Sequence, residues 1–181
     1  IASLKERNAP ITVWGVGTRL VTGHDQPALG GVYKLSAVRE PGGPWQHKVK
    51  LSEEIGKGSN PGLQQVRRYH SDQQFLADLI YDVERGVRPG GMMTDPTDPG
   101  KRRPLPAGAA CTDLLEPVLR GGQAVEALPS TEQARGRTRE QLGHLPAGVL
   151  SLQSPQTYPV GLEDGLQQLK ADLICHCAAR G

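Results

Sequence analysis

The sequence predicts an α/β protein: the end of an αβ unit, then an antiparallel β-sheet segment, then a helical C-terminal region. Three observations predict it. A helical stretch over residues 1–8 leads into the β-branched and aromatic run Ile11-Thr12-Val13-Trp14 and a glycine turn. Apolar side chains recur at every second position through much of residues 30–85. Near the C terminus Leu162, Leu166, Leu169, Leu173 and Cys177 fall at spacings of four and three, the period of one helix face.

The elements follow in order. Asn8 ends the first helix and Pro10 bars its continuation. Ile11 to Trp14 reads as a buried strand entering the turn Gly15-Val16-Gly17-Thr18, so residues 1–29 form the end of an αβ unit. Residues 31–39 and 47–51 read as two strands joined by Pro41-Gly42-Gly43-Pro44, with Tyr33, Leu35 and Ala37 on one face. Val66–His70 and Phe75–Glu84 give two further strands. Phe75, Ala77, Leu79, Tyr81 and Val83 share a face of the second. Residues 86–109, dense in Pro, Gly and Asp, read as a long mobile loop. The region 110–181 reads as helical. Thr112 would cap a short helix with Leu115, Val118 and Leu119 inward, stopped by Gly121-Gly122. Ser130 with Gln133 fits a capping box, and a last helix runs from about Leu162 to Ala178.

Composition excludes some functions. The formal net charge is only +2 and the basic residues are dispersed, so no nucleic-acid or anionic-membrane footprint is expected. No segment offers the roughly 18 apolar residues of a transmembrane span. Three cysteines, two of them only two residues apart, point to a reducing, cytoplasmic setting. Ile1 to Arg7 reads as the inside of a helix without a cap, so the chain is expected to begin within a larger protein.

The residue pattern most suggestive of chemistry is Gly15-Val16-Gly17-Thr18. Glycines let backbone approach a ligand, converging amides suit a phosphate, and a threonine hydroxyl adds a donor. The same pattern also marks any tight strand-to-loop turn. It lacks the third glycine of a dinucleotide fingerprint and the Gly-Lys-Ser/Thr of a P-loop. Lys34, Lys50 and Lys57 could reach the phosphates of a nearby substrate, although alternating lysines are also what a wet sheet face carries. Cys175-His176-Cys177 reads as a helix end, because residues two apart on a helix diverge. His24-Asp25 reads as a loop pair.

Longer stretches carry a resemblance. Val13 to Thr22, Asp25 to Leu35, Lys50-Leu51-Ser52-Glu53, Lys57 and Pro61-Gly62 resemble nicotinate phosphoribosyltransferases. So do Leu115-Glu116-Pro117-Val118, Gly121-Gly122, Leu128-Pro129-Ser130 and Tyr158 to Leu162, in the same order along the chain. The resemblance implies the last units of a type II phosphoribosyltransferase αβ barrel, an antiparallel sheet segment and a helical tail. It implies that nicotinate attacks phosphoribosyl pyrophosphate to give nicotinate mononucleotide and pyrophosphate, with ATP hydrolysis coupled through a phosphohistidine and with Mg²⁺ on the pyrophosphate. It assigns Gly15, Gly17 and Thr18 to the ribose 5-phosphate. Gly30, Gly31, Lys34, Lys50 and Lys57 become candidate substrate or nucleotide contacts.

The departures shape the expectation. Members of the family are longer, and none of the five histidines here lies in a matching motif, so no catalytic residue and no metal ligand is carried over. Ser59 stands where the family often has threonine. The chain is therefore expected to be inactive alone and to belong to a homodimeric enzyme of NAD salvage. The alternatives are a non-catalytic phosphate-binding remnant and a related nicotinamide or quinolinate phosphoribosyltransferase.

Overall fold

A computed structural model describes residues 1–25, 27–28, 31–51 and 58–178. It divides into two compact units, residues 1–33 and 34–181, each treated by itself.

In the first unit, α1 (Ala2–Glu6) ends at Arg7, and Asn8 takes a left-handed φ of 51°. The expected buried strand is absent. Residues 12–17 have no regular secondary structure, and Val13 is 84% exposed. A parallel strand needs a ladder from a neighbouring strand, and no described residue of this unit supplies one. The turn leads into α2 (Thr18–Thr22), with Gly17 at its N-cap.

The second unit opens with a short hairpin of β1 (Ala37–Val38) and β2 (Gln46–His47), paired Ala37 to His47. The hairpin predicted here is present, but its ladder is far shorter than residues 31–39 and 47–51. Tyr33 and Leu35 are exposed rather than packed. Two long strands follow, β3 (Gln64–His70) and β4 (Phe75–Asp82), antiparallel as their alternation predicts. Val83 lies just beyond and is exposed.

The stretch 86–109 is not simply a loop. It contains β5 (Met92–Thr94) and β6 (Arg102–Pro104), an antiparallel pair. Met93 is only 2% exposed, which anchors the segment in the core. Asp95 closes the intervening turn by accepting from the N–H groups of Thr97 and Asp98 and from the Thr97 hydroxyl. Pro104 sits on the outermost strand, where a missing donor breaks no interior ladder.

The short helix expected after Thr112 is also absent. Residues there form β7 (Ala110–Asp113), paired with β3. The small hairpin β8 (Leu119–Arg120) and β9 (Gln123–Ala124) follows. Gly121 and Gly122 take φ of 57° and 79°, so the pair forms a two-residue hairpin turn rather than a helix stop. Leu115, Val118 and Leu119 are exposed.

The α3 helix (Thr131–Gly143) starts at the predicted capping box, with Gln133 N–H donating to Ser130 Oγ and Gln133 Oε1 accepting from Ser130 N–H. The last helix starts later than predicted. Leu162 belongs to β10 (Val160–Glu163), and α4 covers Asp164–Ala178. Leu166 and Leu169 are buried, Leu173 is half-buried, and Cys177, expected half-buried, is exposed. The sheet order is β6-β5-β10-β4-β3-β7, and β10 runs parallel to β4, so the segment is not wholly antiparallel. One sheet face packs Tyr69, Ala77, Leu79 and Met93. The other packs Ile80 and Leu162 under Leu166 and Leu169 of α4.

Candidate anion-binding site

In the first unit, Gly17 O accepts from the N–H groups of Leu20 and Val21 at 3.1 and 3.2 Å. Nothing lies within 4 Å of where a Cβ would stand on Gly15, Gly17 or Gly31, so no described atom of the chain itself requires glycine there. A cleft beside α2 is lined by Arg19, Leu20, Gly23, His24 and Asp25 and does not include Gly15, Gly17 or Thr18. His24 Nδ1 lies 3.2 Å from Asp25 Oδ1.

The second unit brings two predicted residues together. Lys50 holds the Lys34 pKa below its ordinary value, chiefly by like-charge repulsion. Main-chain bonds set this approach. Ser36 O accepts from the N–H groups of Lys48, at 2.8 Å, and Gly62, at 2.9 Å. Lys50 N–H donates to Ser59 Oγ at 2.7 Å, and Ser59 N–H donates back to Lys50 O at 3.3 Å. Ser59 thus ties down the backbone that carries Lys50. Gly30 and Lys57 lie outside the described residues.

The loop from Ser59 to Gly62 is tied down by residues that the sequence did not single out. Lys170 of α4 donates to Asn60 Oδ1 at 2.9 Å, and burial lowers the Lys170 pKa. Gln64 Nε2 donates to Asn60 O at 2.7 Å. Asp82, fully buried on β4, accepts Leu63 N–H on Oδ2 at 2.8 Å and the N–H groups of Glu84 and Arg85 on Oδ1. His47 Nε2 lies 4.0 Å from Asp82 Oδ2 and has no hydrogen-bond partner among the described residues. The Pro61-Gly62 dipeptide was the available signal for this loop; nothing in the spacing marks Asp82 or Lys170.

Two ion pairs stiffen the sheet below. Arg67 forks onto Asp113 at 2.8 and 3.0 Å and also donates to Tyr81 Oη. Arg68 forks onto Asp78 at 2.8 and 2.7 Å, where Tyr158 Oη also donates. These forks raise both guanidinium pKa values, and Asp113 is held below the usual carboxylate range by Arg67.

The arrangement offers paired cations on a braced loop, a geometry that suits a multiply charged anion. Residues 64–170, from β3 into α4, match the model of the nicotinate phosphoribosyltransferase C-terminal domain. The chain belongs to that family. It is 36% identical over 171 residues to nicotinate phosphoribosyltransferase of Homo sapiens, covering 93% of this chain and 31% of that protein. It is 31% identical over 186 residues to the Bacillus subtilis (strain 168) nicotinate phosphoribosyltransferase, covering 99% of this chain and 37% of that one. The crystal structure of human nicotinic acid phosphoribosyltransferase is similar with a TM-score of 0.56 and 25% identity, over 74% of this chain and 27% of that chain. The chain therefore spans about a third of the length of the curated relatives it matches. Both alignments reach the segment that carries Lys34 and Lys50, which lies before the matched domain.

Proposed function

We propose that this chain acts as the C-terminal portion of a nicotinate phosphoribosyltransferase of NAD salvage, and that Lys34 and Lys50 hold phosphate oxygens of its substrate. The observation that carries this reading is the like-charge repulsion that Lys50 exerts on Lys34, with the Lys50 backbone held by Ser59. Two ammonium groups repel each other in the free protein. An anion between them turns repulsion into two attractions, so the pair favours a ligand with several negative oxygens.

In the reaction, the nicotinate nitrogen forms a bond to the anomeric carbon of phosphoribosyl pyrophosphate. The bond from that carbon to the pyrophosphate oxygen breaks, and its electrons leave with pyrophosphate. Charge grows on the leaving oxygens, where fixed cations act most strongly. The chain's part is to hold phosphates at Lys34 and Lys50, with Lys57 on the same stretch. Gly15, Gly17 and Thr18 receive the ribose 5-phosphate on backbone amides and a hydroxyl, and Gly30 and Gly31 are further candidate contacts. The turn then belongs to the last unit of an αβ barrel.

Mg²⁺ would neutralise the pyrophosphate, and ATP hydrolysis would drive the reaction in the ligase sense. Among the described residues no three His, Cys, Asp or Glu side chains converge into a site for it. The acidic ligands and the phosphorylated histidine are assigned outside this chain, which is inactive alone. The assembly is a cytoplasmic homodimer without nucleic-acid or membrane partners. All three cysteines are free, and among the described residues no helix is long and apolar enough to cross a membrane.

Pyrophosphate titration of the chain at constant ionic strength tests this reading. The wild type is expected to bind and the K34A/K50A variant to bind at least about tenfold more weakly. Equal binding by the two would remove the lysine pair from the site.

A further inference from the structure

A basic cavity, of about 460 Å³, lies at the start of α4. Arg85 and Arg88 from the turn after β4, Arg102 from β6, Thr94 from β5, and Asp164 and Gln168 from α4 line it. It shares no residue with the Lys34–Lys50 pair. Arg102 Nη2 donates to Asp164 Oδ1 at 2.6 Å, and Asp164 Oδ2 accepts Met92 N–H at 3.0 Å, so these two charges balance. Arg85 and Arg88 have no ion-pair partner among the described residues, which leaves the cavity with surplus positive charge.

Two features separate this cavity from an ordinary wet surface. Thr94 is 2% exposed, and its Oγ1 has no hydrogen-bond partner among the described residues. A buried hydroxyl without a partner is unfavourable unless something else satisfies it. In addition, the cavity opens at the positive end of a 15-residue helix. The helix amides there are already taken, since Glu163 Oε2 accepts the N–H groups of Gly165, at 2.6 Å, and Leu166, at 3.2 Å. The donors left for a ligand are therefore the guanidinium groups and the Thr94 hydroxyl.

We infer that this cavity binds a phosphate group, either inorganic phosphate or the phosphate of a small metabolite. Arg85 and Arg88 supply forked donors from the rim, and the Thr94 hydroxyl donates from the wall. Planar guanidinium forks match tetrahedral oxyanions better than they match chloride.

The test is calorimetric titration of the full chain with inorganic phosphate against chloride at equal ionic strength. The wild type is expected to bind phosphate. The R85A/R88A variant should bind at least about tenfold more weakly. T94V should weaken binding several-fold while keeping the circular dichroism of the wild type, because it removes only an unpaired hydroxyl. The binding that depends on Arg85 and Arg88 should persist in K34A/K50A. An absence of phosphate binding, or wild-type affinity in both R85A/R88A and T94V, overturns the inference. Loss in K34A/K50A with R85A/R88A unaffected assigns the phosphate to the lysine pair and overturns it equally.

Discussion

Gly62 lies against the carboxylate of Asp82, so closely that a Cβ on residue 62 would overlap Asp82 Oδ2. Its φ is 88°, a region that side chains rarely adopt. Both constraints fall on the loop whose Ser59 ties down the Lys50 backbone. The G62A variant is therefore expected to lose at least about 2 kcal/mol, from backbone strain together with displacement of a buried carboxylate. Urea unfolding measures it. A variant as stable as wild type would mean that Asp82 does not hold this loop.

The Arg68–Asp78 pair is largely shielded, with side-chain exposures of 19% and 12%. Removing one partner strands the other charge. D78A is expected to destabilise the protein by about 2–4 kcal/mol. Y158F removes only the Tyr158 hydroxyl bond to the same carboxylate and should cost about 1 kcal/mol. If thermal unfolding shows the two variants to be equally mild, the pair is solvated in solution.

Asp113 gives the acid limb of stability. Arg67 depresses its folded pKa below the unfolded value of about 3.9. The stabilisation is thus complete above that unfolded value and is lost as pH falls through the folded one. Asp113 is 38% exposed, so solvent screening keeps the effect to roughly 1 kcal/mol or less. Chemical denaturation between pH 2 and 6 should show a shallower acid slope in D113N than in wild type. Identical slopes would place the acid sensitivity elsewhere.

These contacts also show what the sequence could reveal. The β3 and β4 strands and the α3 cap were legible because each is long or carries a specific local bond, such as Ser130 with Gln133. Strand β5 was not, since three residues among prolines and glycines give no period. The stripe through Leu162 ran one turn too far because a strand residue happened to fall at helical spacing before Asp164. The lysines were visible as an alternating set, which predicts a wet face but not the repulsion between Lys34 and Lys50. Asp78 and Asp82 lie opposite the face of Leu79, where alternation predicts exposure. Both are buried instead, because β4 is an interior strand and its second face is covered as well.

Lys34 itself offers a direct readout of the candidate site. Lys50 lowers its pKa, so the repulsion acts at neutral pH and fades as pH rises through the folded value toward the ordinary one. A side-chain NMR titration should place the Lys34 midpoint below that of an isolated lysine. Replacing Lys50 by Met should move it back toward the ordinary value, since the first cause is then gone. Pyrophosphate should move the midpoint upward in the wild type, because an anion between the lysines favours both charges. An unshifted Lys34 in wild type, or no response to pyrophosphate, would show that the two ammonium groups do not act as a pair in solution.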